Sequence, residues 1–188
     1  VVQGIGEEVG AALVGDPRLK RISFTGSPAT ARHIGVAAAK NIVPFTAELG
    51  GKGPFIVFAD ADLEAAAKKA SVMYDDSGQV CLAGTRLLVE ASVRDEFLRL
   101  FHGFTDAHVL GDSREPSTTI SPMIHPEHLG NVQGFVERAR NAGDTIVRGG
   151  ERSMLGGNHG LWFEPTLMEP RSNDSDVLKH EIFGPVLT

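Results

Sequence analysis

The sequence predicts an α/β fold on parallel strands, and three observations carry the prediction. Short apolar runs alternate with longer stretches whose small apolar residues recur at helical spacing, and strand, helix, strand is the order that builds parallel sheets. Glycines fall where one run gives way to the next, as at Gly26, Gly50, Gly51 and Gly143. The composition, 41% hydrophobic and 22% charged over 188 residues, is that of a globular chain with room for one domain or parts of two.

Val1-Val2 reads as the tail of a strand, and Gly4 to Gly10 as a turn into a helix that runs to about Val14. Arg21 to Thr25 alternates polar and apolar residues and is a strand. Ser27 and Pro28 then suit the N-cap and first position of a helix that continues to about Lys40. Ile42 to Ala47 is the next strand. Gly50, Gly51 and Gly53 interrupt the pattern, so the chain divides into 1–50 and 51–188. Phe55 to Phe58 is a short buried strand. Asp60 and Asp62 open a helix with Leu63, Ala66, Ala67 and Ala70 on one face, ending near Tyr74. Arg86 to Glu90 is a strand, and Ser92 caps the helix that follows. Leu129, Val132, Val136 and Ala139 line a later helix closed by Gly143, Thr145 to Arg148 is a strand, and Arg171 to Asp176 is a loop.

The net charge of −6 gives no basic excess to neutralise phosphates, so a nucleic-acid partner is not expected. No apolar run reaches the roughly 18 residues of a membrane span. A single cysteine allows no internal disulfide and points to the reducing cytoplasm. The chain starts without Met and stops in the strand-like Pro185-Val186-Leu187-Thr188, the expectation for a fragment of a longer polypeptide.

Four segments bear on chemistry. Cys81 follows Asp75-Asp76-Ser77-Gly78. It is either a small buried hydrophobe or a nucleophile in a sharp loop; a helix beginning after Gly78 places the thiol near free N–H groups that favour a thiolate. Glu48 precedes a double glycine at a strand end. It is either a surface carboxylate or a base at the edge where parallel sheets bind ligands. Gly26-Ser27 is either a capped strand-to-helix turn or an anion site that holds a pyrophosphate. Gly4-x-Gly6-x-x-x-Gly10 departs by one position from the dinucleotide fingerprint, and Gly51-Lys52 lacks the Ser or Thr of a phosphate loop. His125 and His128 share no ligand cluster, so no metal is expected.

In order, Phe24-Thr25-Gly26-Ser27, Glu48-Leu49-Gly50-Gly51-Lys52, Gly78-Gln79-Val80-Cys81, Pro165-Thr166 and Glu181-Ile182-Phe183-Gly184-Pro185-Val186 resemble the NAD(P)-dependent aldehyde dehydrogenase superfamily. Gly149-Gly150 and Val1 to Gly10 are similar to it as well. The resemblance implies the three-layer fold of that family: the end of a Rossmann-like nucleotide-binding domain over 1–50, then a parallel-sheet catalytic domain over 51–188, incomplete at its C-terminus.

The resemblance also implies roles. Cys81 is the nucleophile and Glu48 the general base. Gly26 and Ser27 contact the cofactor pyrophosphate, Glu181 the nicotinamide ribose, and Phe183 the nicotinamide. Gly50, with Lys52, belongs to the turn behind the base and is counted among the cofactor contacts; Val80 touches substrate. The implied reaction oxidises a small-molecule aldehyde, a semialdehyde among the candidates, to a carboxylic acid with NAD or NADP through a cysteine thiohemiacetal and thioester. The texture is similar to the semialdehyde and betaine-aldehyde branches. A homo-oligomer is implied for the full-length protein. Ala31 stands for the family's usual glycine, His180 for an acid and Gly53 for a serine, and none of the three removes a catalytic group. The alternative is a truncated, non-catalytic relative or assembly partner, inactive as an isolated chain; an esterase-like thiol that uses Cys81 without cofactor is a third.

Overall fold

In the computed structural model, which describes residues 1–188 apart from the side chain of residue 158, helical structure begins at Gly6. A wide π-type turn over Gly6–Gly10 runs into helix α1, Ala11–Gly15. Val1 and Val2 are exposed and belong to no strand, because an extended segment becomes one only when a neighbour takes its hydrogen bonds. Strand β1 (Ile22–Gly26) buries Ile22 and half-buries Phe24 while Ser23 and Thr25 face out, the two-residue period of a one-sided strand. Helix α2, Pro28–Asn41, starts where expected: the Ser27 hydroxyl accepts the Thr30 N–H at 3.2 Å and Pro28 occupies the first turn.

The expected strand at Ile42 begins later, as β2, Phe45–Leu49. Ile42 is consumed as the left-handed cap of α2 (φ 52°), its N–H returning to the carbonyls at the helix end, and Pro44 has no N–H to lend a ladder. Strands β1 and β2 pair in parallel, with Ile22 opposite Phe45 and Thr25 opposite Glu48. These elements form one unit, Val1–Gly50; Gly51–Thr188 forms a second.

In the second unit β3 (Pro54–Val57) pairs in parallel with β4 (Arg86–Val89). Strand β5 (Thr145–Arg148) runs antiparallel to β6 (Thr166–Glu169), which is parallel to β7 (Val186–Leu187). The two sheets are stitched at Thr188, whose carbonyl accepts the Leu87 N–H at 2.7 Å and whose N–H reaches Thr85 at 2.9 Å. The purely parallel sheet expected here therefore carries an antiparallel edge strand. A hairpin-like return such as β5–β6 needs no crossover helix.

Both sheet faces are covered. Leu167 and Leu187 pack with α3 (Leu63–Ser71) and α4 (Arg94–Asp106), in a cluster that includes Val57, Ala70, Phe97 and Phe101. Met168 and Val186, one residue away along each strand, pack on the other face with Val132 and Val136 of α5 (Pro126–Ala142) and Val177 of α6 (Asp176–Lys179). This gives the second unit three layers.

Asp62 caps α3 by accepting the Ala65 N–H at 3.0 Å, but the helix stops at Ser71, short of Tyr74. Ser92 caps nothing: a tight turn over Ala91–Val93 precedes α4, and the Ser92 hydroxyl donates to Glu90 at 2.9 Å. Helix α4 is held by its buried face instead, since each fully buried phenylalanine such as Phe97 or Phe101 contributes roughly 1.5–3 kcal/mol. Among the described residues no helix is long and apolar enough to cross a membrane.

Candidate active site

The loop that carries Cys81 is built from the end of α3. The buried Tyr74 hydroxyl donates to the Thr166 carbonyl at 2.9 Å, anchoring the chain to β6, and burial pushes the phenol far above its ordinary pKa. The backbone then leaves helical space. Asp76, Ser77 and Gly78 are successive left-handed residues, with φ of 52°, 56° and 67°. For the two that are not glycine this costs roughly 1–3 kcal/mol each, so neighbours must hold them. The Ser77 hydroxyl donates to the Ser121 carbonyl. The Gln79 amide donates to the Asp76 carbonyl and accepts the Ile124 N–H, both at 3.0 Å. Gly78 lies against Gly184: a Cβ there would sit 2.2 Å from the Gly184 oxygen.

Beyond this rigid base Val80 is half-buried and Cys81 is exposed, so the buried-hydrophobe reading of the cysteine does not hold. No helix begins after Gly78, so the condition for a thiolate favoured by a helix start is not met. The left-handed run sends the chain into an open turn, with the Ala83 N–H on the Val80 carbonyl at 3.2 Å. The free N–H groups of a helix start are therefore not what faces the thiol. The Cys81 amide donates to no described residue.

A small cavity in the same unit is lined by Lys52, Gly78, Val80, Glu181, Phe183 and Gly184. Glu181 is half-buried and takes no hydrogen bond from the described residues. The Lys52 Nζ is sealed from solvent and has no hydrogen-bond partner among them. Burial first, and then the nearby Arg86 charge, pull its pKa down to about 8, against the opposing pull of the Glu181 carboxylate. Phe183 is left-handed (φ 56°) and partly exposed. Its carbonyl lies 2.7 Å from Nε2 of His128, and the two rings are 6.0 Å apart. His180, the departure before Glu181, pairs with Asp176 at 2.6 Å.

In the first unit, Gly26 ends β1, Ser27 caps α2, Glu48 stands exposed near the end of β2, and Gly50 follows that strand. Because β1 and β2 are parallel and in register, these residues share one edge, at the carboxyl ends of both strands. Ala31 is buried, so its extra methyl is packed inside this unit. The site candidates thus fall into two groups: Gly26, Ser27, Glu48 and Gly50 in the first unit, Val80, Cys81, Glu181 and Phe183 in the second.

Two of the motifs turn out to be joined to each other. Gly149 and Gly150 are left-handed, a Cβ on Gly149 would lie 2.4 Å from the Pro165 oxygen, and the Gly150 N–H donates to the Thr166 hydroxyl at 2.8 Å. They shape the β5–β6 connection. Among the described residues no group of three His, Cys, Asp or Glu is arranged to hold a metal.

An α/β chain with an exposed cysteine on a braced loop, beside a carboxylate-lined cavity, defines a candidate thiol enzyme. The particular family follows from comparison: the aldehyde dehydrogenase family matches residues 1–188, and the chain belongs to it. It is 40% identical over 188 residues to a betaine aldehyde dehydrogenase of Cereibacter sphaeroides, covering all of this chain and 38% of that one. Among solved structures it resembles a double mutant of the betaine aldehyde dehydrogenase of Staphylococcus aureus in complex with NAD+ (TM-score 0.93, 36% identity, 100% of this chain and 38% of that). It also resembles the aldehyde dehydrogenase KauB of Pseudomonas aeruginosa (TM-score 0.94, 36% identity, 100% and 38%). A 3,6-anhydro-L-galactose dehydrogenase in complex with NAP is similar too (TM-score 0.93, 37% identity, 99% and 39%). The chain spans 38% of the length of the first of these curated relatives.

Lys52 and His128 both border the Glu181–Phe183 segment, and reading the sequence gave neither a place there. Lys52 had a signal, its place in Glu48-Leu49-Gly50-Gly51-Lys52, but that placed it only in a turn. His128 was read only with His125, as a pair that makes no metal site, because its carbonyl partner lies 55 positions away.

Proposed function

We propose that this chain is the part of an NAD(P)-dependent aldehyde dehydrogenase that carries its nucleophile and general base, oxidising a small aldehyde to a carboxylic acid. The observation that carries the reading is the open Cys81 on a loop locked by Asp76, Ser77 and Gly78, next to a cavity lined by Glu181 and Phe183. The family membership supports it.

The residues present fit a nicotinamide cofactor. Sugar hydroxyls need an acceptor, and the half-buried Glu181 carboxylate, which takes no hydrogen bond from the described residues, lines the cavity. The partly open Phe183 ring offers a face for the nicotinamide. Gly26 and Ser27, at the start of the long helix α2, suit the pyrophosphate; the Ser27 hydroxyl accepts from Thr30 and keeps capacity for a ligand. Gly50 follows the Glu48 strand on the same edge.

The Cys81 thiolate forms a bond to the aldehyde carbon, and the carbonyl electrons move to oxygen to give a thiohemiacetal oxyanion. The free Cys81 N–H is one donor available to that oxygen, and Val80 lies against the substrate. When bound, the nicotinamide supplies the two-electron acceptor through which the thiohemiacetal becomes a thioester. Glu48 then takes a proton from water, the water oxygen attacks the thioester carbon, the C–S bond breaks, and the thiolate returns as the acid leaves. Betaine aldehyde is the first substrate to try, given the relatives' activity. We also take the full-length protein to be a homo-oligomer, which sedimentation of that protein checks, and to be cytoplasmic, which fractionation of its host cell checks.

The test is reduced-cofactor formation by a polypeptide of the relatives' full length containing this chain, on betaine aldehyde and a panel of semialdehydes with NAD and with NADP. Turnover that disappears in Cys81→Ala is the expected result. A folded, cofactor-binding protein that is silent on the whole panel removes the reading.

A further inference from the structure

We propose that His128 is a positioning residue for Phe183, its Nε2–H holding the Phe183 carbonyl and so fixing the direction of the ring that faces the cofactor; this rests on the reading of Phe183 as a cofactor contact. Phe183 occupies left-handed backbone (φ 56°) without being glycine, a conformation that persists only where the surroundings enforce it. The residues after it are pinned through their own backbone. The Pro185 carbonyl accepts the Thr166 N–H at 2.8 Å, and the Gly184 carbonyl accepts the Val186 N–H at 2.7 Å. Gly184 itself is wedged between Gly78 and Val132 of α5, where an added Cβ would lie 2.6 Å from the valine methyl.

At Phe183 the hold is a side chain. The distance of 2.7 Å from His128 Nε2 to the carbonyl oxygen assigns the ring proton to Nε2, since a carbonyl only accepts. His128 is itself fixed. It sits in the first turn of α5, and its N–H donates to Nδ1 of His125, the cap of that helix, at 3.2 Å. Its imidazole also abuts the Phe183 ring, 6.0 Å between centres and tilted by 58°. One residue therefore grips the strained peptide and buttresses the ring, from a helix that the core cluster of Leu129, Val132 and Val136 keeps in place.

The experiment uses the polypeptide of the relatives' full length. It measures the NAD dissociation constant by quenching of protein fluorescence, and amide exchange over residues 181–186 by mass spectrometry. His128→Ala is expected to weaken NAD about fivefold, the factor for one lost hydrogen bond, and to speed exchange in that segment. KM for NAD rises more than kcat falls. His128→Gln, whose amide nitrogen reaches the Nε2 position, recovers most of the affinity; His128→Asn, a bond shorter, does not, and this pair decides the matter if the alanine variant folds poorly. Phe183→Leu is the control. If it weakens NAD while His128→Ala and His128→Asn bind as the parent does, the positioning role is wrong and the reading of Phe183 survives. If Phe183→Leu leaves NAD binding unchanged, the reading of Phe183 falls and the proposal with it.

Discussion

Lys52 offers a quantitative test of how the cavity is built. Its ammonium is sealed from solvent without a hydrogen-bond partner among the described residues, and its pKa falls from 10.5 to about 8. At about 1.4 kcal/mol per pH unit, that difference costs about 3 kcal/mol of stability. The sign follows from proton counting. Between pH 8 and 10.5 the unfolded chain holds the Lys52 proton and the folded chain has lost it. Stability therefore rises with pH across that window; the full cost is present below it and is gone above it. Lys52→Met removes the titration and keeps the apolar stem. Urea unfolding followed by the fluorescence of Trp162, the single tryptophan, reads the second unit directly. The variant is expected to exceed the parent by about 3 kcal/mol more at pH 7 than at pH 10.5, with the gap narrowing mainly above pH 8. A gap that stays constant from pH 7 to 10.5 refutes the reasoning, because the ammonium is then not paying a burial cost.

Three further substitutions have expected outcomes. Gly78→Ala puts a side chain on left-handed backbone and 2.2 Å from the Gly184 carbonyl, so it should cost about 2 kcal/mol or more in urea unfolding. Tyr74→Phe deletes the bond to the Thr166 carbonyl and leaves that oxygen buried, with an expected loss of about 1–3 kcal/mol by the same unfolding measurement. In the full-length protein, Glu48→Gln should allow one turnover per Cys81 and then stall, visible as a stoichiometric burst of reduced cofactor, with steady-state kcat lowered about 100-fold or more.

The element order was legible because it rests on local signals: the Ser27-Pro28 cap, the Asp62 cap, and the Leu129, Val132, Val136 and Ala139 stripe all act within a turn or two of chain. Strand β6 was missed. Thr166, Leu167 and Met168 are all buried, since the sheet is covered on both faces, so the run shows no alternation. The start of β2 was misplaced because Ile42, a β-branched residue at home in strands, serves instead as a left-handed helix cap.

At the candidate site, Gly78 announced a sharp loop, but nothing in Asp76 or Ser77 announces that they too are left-handed. Asp76 is held by the nearby Gln79 amide, and the Ser77 bond to Ser121, 44 positions away, is a tertiary event. The same holds for the orphaned charge of Lys52 and the grip of His128 on Phe183. Both depend on segments far apart in sequence meeting in the fold, which spacing does not encode.

The central claim is that Cys81 forms the covalent bond to substrate. The direct measurement is peptide mass spectrometry of the full-length Glu48→Gln protein, acid-quenched after mixing with betaine aldehyde and NAD. The account predicts the acyl mass on the peptide containing Cys81, and none in a Cys81→Ser control. Reduced cofactor formed with that peptide unmodified, or with the acyl group on another residue, would contradict it.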